Sequence, residues 1–242
     1  MRVPRVYVDQ PLSGGELNLD ERAAHYIGQV LRMRAGRELV LFNGDGNAYA
    51  ATITEASKRS VSCEVDGAPL QSQTVSPLKI ELGIGLSKGD RFDWVIQKAT
   101  ELGVTAITPL FTERVDVKLS GERLEKKQRH WQQIMISACE QCGRNDLVAI
   151  NPAQPLAQWR QDLSAPVKLV LCPAVAGSIA ADHATDVALL VGPEGGLSDS
   201  EIADCLRQGF AALQLGPRVL RTETAPIAAI SILQYRWGDM GA

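Results

Sequence analysis

The stretch Val187-Ala188-Leu189-Leu190-Val191-Gly192-Pro193-Glu194-Gly195-Gly196 decides how this chain folds. A short apolar run closed by glycine and proline reads as a buried strand. The glycines at its carboxyl end let a ligand approach the main chain, because no side chain stands in the way. Open α/β sheets bind ligands outside the carboxyl ends of their strands. A second turn of the same kind follows: Leu215-Gly216-Pro217-Arg218-Val219-Leu220-Arg221-Thr222-Glu223-Thr224-Ala225-Pro226, ahead of an apolar stretch from Ile227 to Tyr235. Two such turns, each leading toward a helix, point to one ligand pocket built mostly of backbone. Neither contains the G-x-G-x-x-G dinucleotide fingerprint, and the chain has no P-loop motif.

Working outward, Val167–Leu171 is another nearly continuous apolar strand and Leu213–Leu215 a short one. Ser198-Asp199-Ser200-Glu201 opens a helix as a capping box. Upstream, Leu78–Ile84 and Val104–Leu110 are strands, and a helix begins at Asp90 or Asp93. A long helix covers Gly121–Gly143, and a last one starts near Thr224 or Pro226. Strands that alternate with helices predict an α/β domain with a mostly parallel sheet.

The amino-terminal part reads differently. An alternating strand lies within residues 1–10, and Asp20 caps a helix carrying Ala23, Ile27, Val30 and Leu31, closed by Gly36. Strands follow at Glu38–Phe42, Ala48–Thr54 and Ser60–Val65, the first two joined by the turn Asn43-Gly44-Asp45-Gly46. Short, closely spaced strands with one helix suggest a small β-barrel over residues 1–70. Residues 71–77, polar and ended by Pro77, read as a linker, and 78–242 form the second domain.

The 242 residues are 45 % apolar, which suits a globular protein. No run approaches the ~20 apolar residues of a membrane span, and the amino terminus lacks the apolar core of a signal peptide. A cytoplasmic protein without membrane partners is expected. Five cysteines, an odd number, favour reduced thiols over a disulfide scaffold. Cys139-Glu140-Gln141-Cys142 lacks the further ligands a zinc site needs, so no metal is expected. The formal net charge of −3 means that any nucleic-acid surface must be local. Arg22, Arg32, Arg34 and Arg37 lie in a segment, 22–37, free of acidic residues, and are candidate phosphate contacts. Lys118, Arg123, Lys126, Lys127 and Arg129 form a second basic stretch, interrupted by Glu122 and Glu125. Solvated helix faces are the plainer meaning of both.

Taken together, GPEGG and LGPRVLRTETAP resemble the carboxyl-terminal signature of the SPOUT, or α/β-knot, RNA methyltransferases. The wording is closest to the family that methylates N3 of a uridine in 16S ribosomal RNA. The resemblance is strong over 187–230 and weaker through the amino-terminal part. It implies a deep trefoil knot in the second domain, preceded by a PUA/OB-like RNA-binding barrel. It implies S-adenosylmethionine as cofactor, without a metal, held at Leu171, Cys172 and Pro173, at Gly192, Glu194, Gly195 and Gly196, and at Leu215, Gly216 and Leu220. It also implies a homodimer whose substrate is 16S ribosomal RNA, in the small ribosomal subunit. Lys88, Arg114 and Arg144 fall in segments that match the family and are added to the RNA contacts. The segment Thr112–Lys118 departs from the family wording at Val115 and Asp116.

Methyl transfer to N3 of uracil needs in-line positioning and removal of a proton, with charge developing on the flanking carbonyls. On that logic Arg221 is the candidate to balance carbonyl charge, and Glu223 to orient the base or take the proton. An ion pair between the two that merely braces the turn is the structural alternative. Methylation of a ribose 2′-hydroxyl or of transfer RNA, and a non-catalytic ribosome-assembly role, are the competing functions.

Overall fold

The computed structural model describes residues 3–57, 60–70, 75–116, 119–173, 175, 177, 179 and 181–241, so Lys118 and positions 71–74 of the expected linker lie outside the described residues. Packing divides the chain into two units: Met1–Thr74 with Ile136–Leu147, and Val75–Met135 with Val148–Ala242. Residues 136–147, assigned by sequence to the second domain, thus pack with the first unit.

In the first unit five strands form one mixed sheet. They are β1 (Arg5–Tyr7), β2 (Gly15–Asn18), β3 (Glu38–Phe42), β4 (Ala48–Ala56) and β5 (Val61–Val65), in the order β1-β3-β4-β5-β2. The β1–β3 pair is parallel and the others antiparallel. Between β2 and β3 lies α1 (Glu21–His25), whose cap is Asp20: its carboxylate accepts from the Ala23 amide at 2.8 Å. The helix runs on as a π-turn, Tyr26–Val30, and stops there, short of Gly36. Arg32 follows in the left-handed region at φ 52°. Ala23, Ile27, Leu41, Ile53, Val61 and Cys63 make the core. Burial pushes the Cys63 thiol up to about 11, so it acts as apolar filler and not as a nucleophile.

The segment 136–147 is tied into this unit by polar bonds. Glu140 accepts from the Tyr7 amide at 3.0 Å and pairs with Arg22 at 3.2 Å. Asn145 accepts from Arg5 and donates to the Gly46 carbonyl. Burial raises the Glu140 carboxyl above its usual range, opposed by the Tyr7 amide and Arg22.

The second unit is a parallel sheet with helices between its strands. In chain order its elements are β6 (Lys79–Gly85), α2 (Arg91–Glu101), β7 (Ala106–Phe111), α3 (Gly121–Cys142, whose last turns belong to the first unit), β8 (Ala149–Ile150), β9 (Gln154–Pro155), α4 (Leu156–Asp162), β10 (Val167–Leu171), β11 (Asp186–Val191), α5 (Asp199–Arg207), β12 (Ala211–Leu213) and α6 (Thr224–Trp237). The order is β12-β10-β11-β6-β7-β8, with β9 also on β7. The last strand ends at Leu213, opposite Leu171, two residues before the sequence reading ends it. Every residue from Val187 to Val191 is buried, as expected of a central strand covered on both faces. Burying each of its valine and leucine side chains contributes roughly 1.5–3 kcal/mol. The capping box forms in full: Ser198 Oγ accepts from the Glu201 amide at 3.2 Å, and Glu201 accepts from the Ser198 amide at 2.9 Å. At the other end of the unit, fully buried Gln234 on α6 accepts from Ser76 and donates to the Leu102 carbonyl at the end of α2.

Candidate functional site

Because β12, β10 and β11 are neighbours and parallel, the three turns that leave them meet at one end of the sheet. They enclose a cleft of about 340 Å3, within the range of roughly 300–1,000 Å3 usual for small-molecule sites. The strand ends contribute Leu171, Val191 and Leu213; the turns contribute Cys172 and Pro173, Gly192 to Glu194 with Gly196, and Gln214 to Gly216 with Arg218 to Leu220. Glu194 and Asp199 add carboxylates, and Arg114 and Arg218 cations. Such a cleft takes a ligand with apolar parts and reads it through main-chain donors and acceptors. Among the described residues, no group of three or more His, Cys, Asp or Glu converges to hold a metal.

The GPEGG turn is fixed from below by close backbone packing. A Cβ on Gly85, at the end of β6, would lie 2.5 Å from the nitrogen of Pro193. Only glycine permits that approach. Sequence reasoning places no role on Gly85, since its neighbour is more than a hundred residues away.

Of the residues expected around a cofactor, Leu171, Cys172, Pro173, Gly192, Glu194, Gly196, Leu215, Gly216 and Leu220 all line this cleft. Gly195 faces a second cleft instead. Arg221 is exposed and Glu223 half-buried; Thr222 between them lines the first cleft. Among the described residues no ion pair joins Arg221 to Glu223. The Arg221 carbonyl accepts from the amides of Thr224 and Ala225, which holds the RTET segment at the start of α6.

The second cleft, about 770 Å3, is lined by Lys88, Gly89, Asp90, Arg91, Arg114, Asp116, Glu194 and Gly195. These residues follow β6, β7 and β11, which are adjacent, so this cleft lies further along the same sheet edge. Arg114 and Glu194 belong to both clefts. Lys88 Nζ pairs with Asp116 at 3.0 Å, and Arg91 with Glu194 at 3.2 Å. Glu194 also accepts from the Lys88 amide at 3.1 Å. Arg114 donates to the carbonyls of Gly195 and Leu197.

The other basic candidates belong to the first unit. Arg32, Arg34 and Arg37 are exposed beyond the π-turn. Arg22 is engaged by Glu140 and the Tyr7 carbonyl, and Arg144 by Asp146. Arg22 thus ties α1 to the last turns of α3, whereas the Arg144 pair is local, and the charge pattern alone reveals neither.

Comparison with known proteins adds independent findings. An RNA methyltransferase domain family matches residues 74–234, and an RNA methyltransferase PUA domain family matches residues 19–66. A protein of Buchnera aphidicola named ribosomal RNA small subunit methyltransferase E is 36 % identical, the alignment covering 99 % of this chain and 98 % of that protein. The Bacillus subtilis protein of the same name is 34 % identical over 88 % and 87 %. Among solved structures, a methyltransferase from Legionella pneumophila with bound S-adenosylmethionine superposes with a TM-score of 0.96, at 43 % identity, covering 99 % of this chain and all of that one. A ribosomal RNA small subunit methyltransferase E from Neisseria gonorrhoeae bound to S-adenosylmethionine gives 0.92 at 37 % identity, with the same coverage.

Proposed function

This chain belongs to the RNA methyltransferases, in the family named ribosomal RNA small subunit methyltransferase E, and from that premise we propose that it methylates N3 of a uridine in 16S ribosomal RNA. It is an S-adenosylmethionine-dependent methyltransferase. The observation that carries the reading is the convergence of three strand-end turns into one apolar, backbone-lined cleft.

The residues present fit the cofactor. Leu171, Leu213, Leu215 and Leu220 offer apolar surface to an adenine, and main-chain groups of the turns offer hydrogen bonds to its edge. The carboxylates of Glu194 and Asp199 line the cleft where a positive charge has to be balanced. When bound, S-adenosylmethionine supplies an electrophilic methyl on a sulfonium. The turns hold it rigidly and keep water out, which aligns acceptor and methyl carbon. Arg221 offsets negative charge on the uracil carbonyls as N3 loses its proton, and Glu223 receives that proton. A paired target base has to leave its stack to reach the cleft.

Several finer features belong to the same reading. The enzyme works in the cytoplasm on the small ribosomal subunit; among the described residues no helix is long and apolar enough to cross a membrane. Arg32, Arg34, Arg37, Lys88 and Arg114 contact phosphates, while Arg22 and Arg144 shape the first unit. The chain threads a trefoil knot around the β10–β12 turns. It forms a homodimer through α6, a surface supported by Ile232 and Tyr235, which are 44 % and 72 % exposed.

Incubating purified protein with labelled S-adenosylmethionine and unmodified small subunits, then digesting the RNA for nucleoside mass spectrometry, tests the assignment. N3-methyluridine is the expected product. A 2′-O-methyl nucleoside, or no incorporation beside intact donor binding, rejects it.

A further inference from the structure

Around the second cleft Lys88, Arg91 and Arg114 face Asp90, Asp116 and Glu194, three formal positive charges against three negative. Resting on the reading that the substrate is RNA, we propose that this cleft holds a phosphodiester beside the target nucleotide, and that Asp116 is a built-in competitor that occupies Lys88 until the phosphate replaces it.

The three cations are held in unlike ways. Arg91 and the Lys88 amide both donate to one oxygen of Glu194, at 3.2 and 3.1 Å, so the Arg91 pair is anchored to the GPEGG turn. Arg114 spends its hydrogen bonds on neutral carbonyls, those of Gly195 and Leu197, both at 3.2 Å. Its charge therefore stays available to an incoming anion. Gly195 makes that placement possible, since a Cβ there would lie 3.1 Å from the Arg114 Cβ. Lys88 is the exception. Its partner Asp116 sits 3.0 Å away, and the two side chains are 63 % and 80 % exposed. An ion pair this open to water contributes little and parts readily. A phosphate oxygen offers the same lysine a replacement of the same sign, with more acceptors.

The consequence is a cleft whose formal charge sums to zero throughout, but in which release of Lys88 from Asp116 frees a local cation for the phosphate. A neutral cleft gives weak attraction to polyanions in general, so the Asp116 charge trades affinity for selectivity.

The test compares wild type, Asp116→Asn, Lys88→Ala and the double variant, as full-length protein, for binding to unmodified small-subunit ribosomal RNA at low salt. Calorimetric affinity for S-adenosylmethionine reports that the fold is intact. Asp116→Asn is expected to bind RNA about two- to fivefold more tightly, the factor released when an exposed pair is removed. The double variant is expected to bind like Lys88→Ala. Asp162→Asn, the same charge change at an exposed site on α4, is expected to do nothing. An unchanged or weaker Asp116→Asn, or an equal gain with and without Lys88, overturns the proposal. If wild type methylates the RNA and the gain is missing, the competitor idea falls alone. If no methyl is transferred but the Lys88-dependent gain appears, the assigned reaction falls and the cleft stands.

Discussion

Two clefts share one edge of one parallel sheet, yet they are built from different materials. The cleft beyond β12, β10 and β11 is made of turns, with apolar strand ends for its floor. The cleft beyond β11, β6 and β7 is made of charged side chains that meet in pairs. Main-chain positions are fixed by the strands they leave, so the first cleft exists before any ligand arrives. Exposed ion pairs are cheap to rearrange, so the second can change partners. A preorganised pocket suits a small cofactor, and an exchangeable one suits a long anionic substrate.

The contrast can be broken at four points, in descending order of effect. Arg221→Ala is expected to lower kcat by about 100- to 1,000-fold, the scale for losing a donor aimed at developing charge. Donor affinity, measured by calorimetry, should be untouched, because Arg221 stands outside the first cleft. Gly85→Ala comes next. Its new methyl has to displace Pro193, and overpacking of about 1–3 kcal/mol predicts roughly a 10- to 100-fold loss of donor affinity. Normal donor binding in that variant would mean that the GPEGG turn does not depend on its support. Third, raising salt from 50 to 200 mM should weaken RNA binding by about 20- to 40-fold if some three phosphates are contacted. Donor binding should barely respond over the same range. The smallest effect is expected for Asp199→Asn, less than about fivefold in donor affinity, since an exposed charge contributes little. A loss there as large as that of Gly85→Ala would show that side chains, and not backbone, govern the first cleft.

These differences also explain what could be read from the sequence. Val187–Val191 and its glycine turn were legible because an unbroken apolar run has few alternative meanings. The caps at Asp20 and Ser198 were legible because their bonds span three residues. The short strands β2, β8 and β9 were not, being two to four residues long and partly exposed. Nor was α4, a seven-residue helix that leaves a two-residue strand at Pro155. Most residues of the first cleft lie in turns that are continuous in sequence, and the family resemblance pointed to those turns. The second cleft was legible only in pieces: the resemblance singled out Lys88 and Arg114, but Arg91 and Glu194 are 103 residues apart, and only the order of β6, β7 and β11 brings them together. Arg22 shows the opposite limit. Its setting among basic residues hides Glu140, 118 positions away, which claims its charge.

One cation and one anion, Arg114 and Glu194, form the partition between the two clefts. If the first cleft holds the methyl donor and the second the RNA, this shared wall is where the two occupants can be coupled. Whatever factor a nucleic acid imposes on the grip for the methyl donor, the donor must return in equal measure. The same holds for the demethylated by-product, whose departure can then loosen or tighten the hold on modified RNA. On that reading, two side chains that need not touch the transferred carbon are placed to influence the timing of turnover.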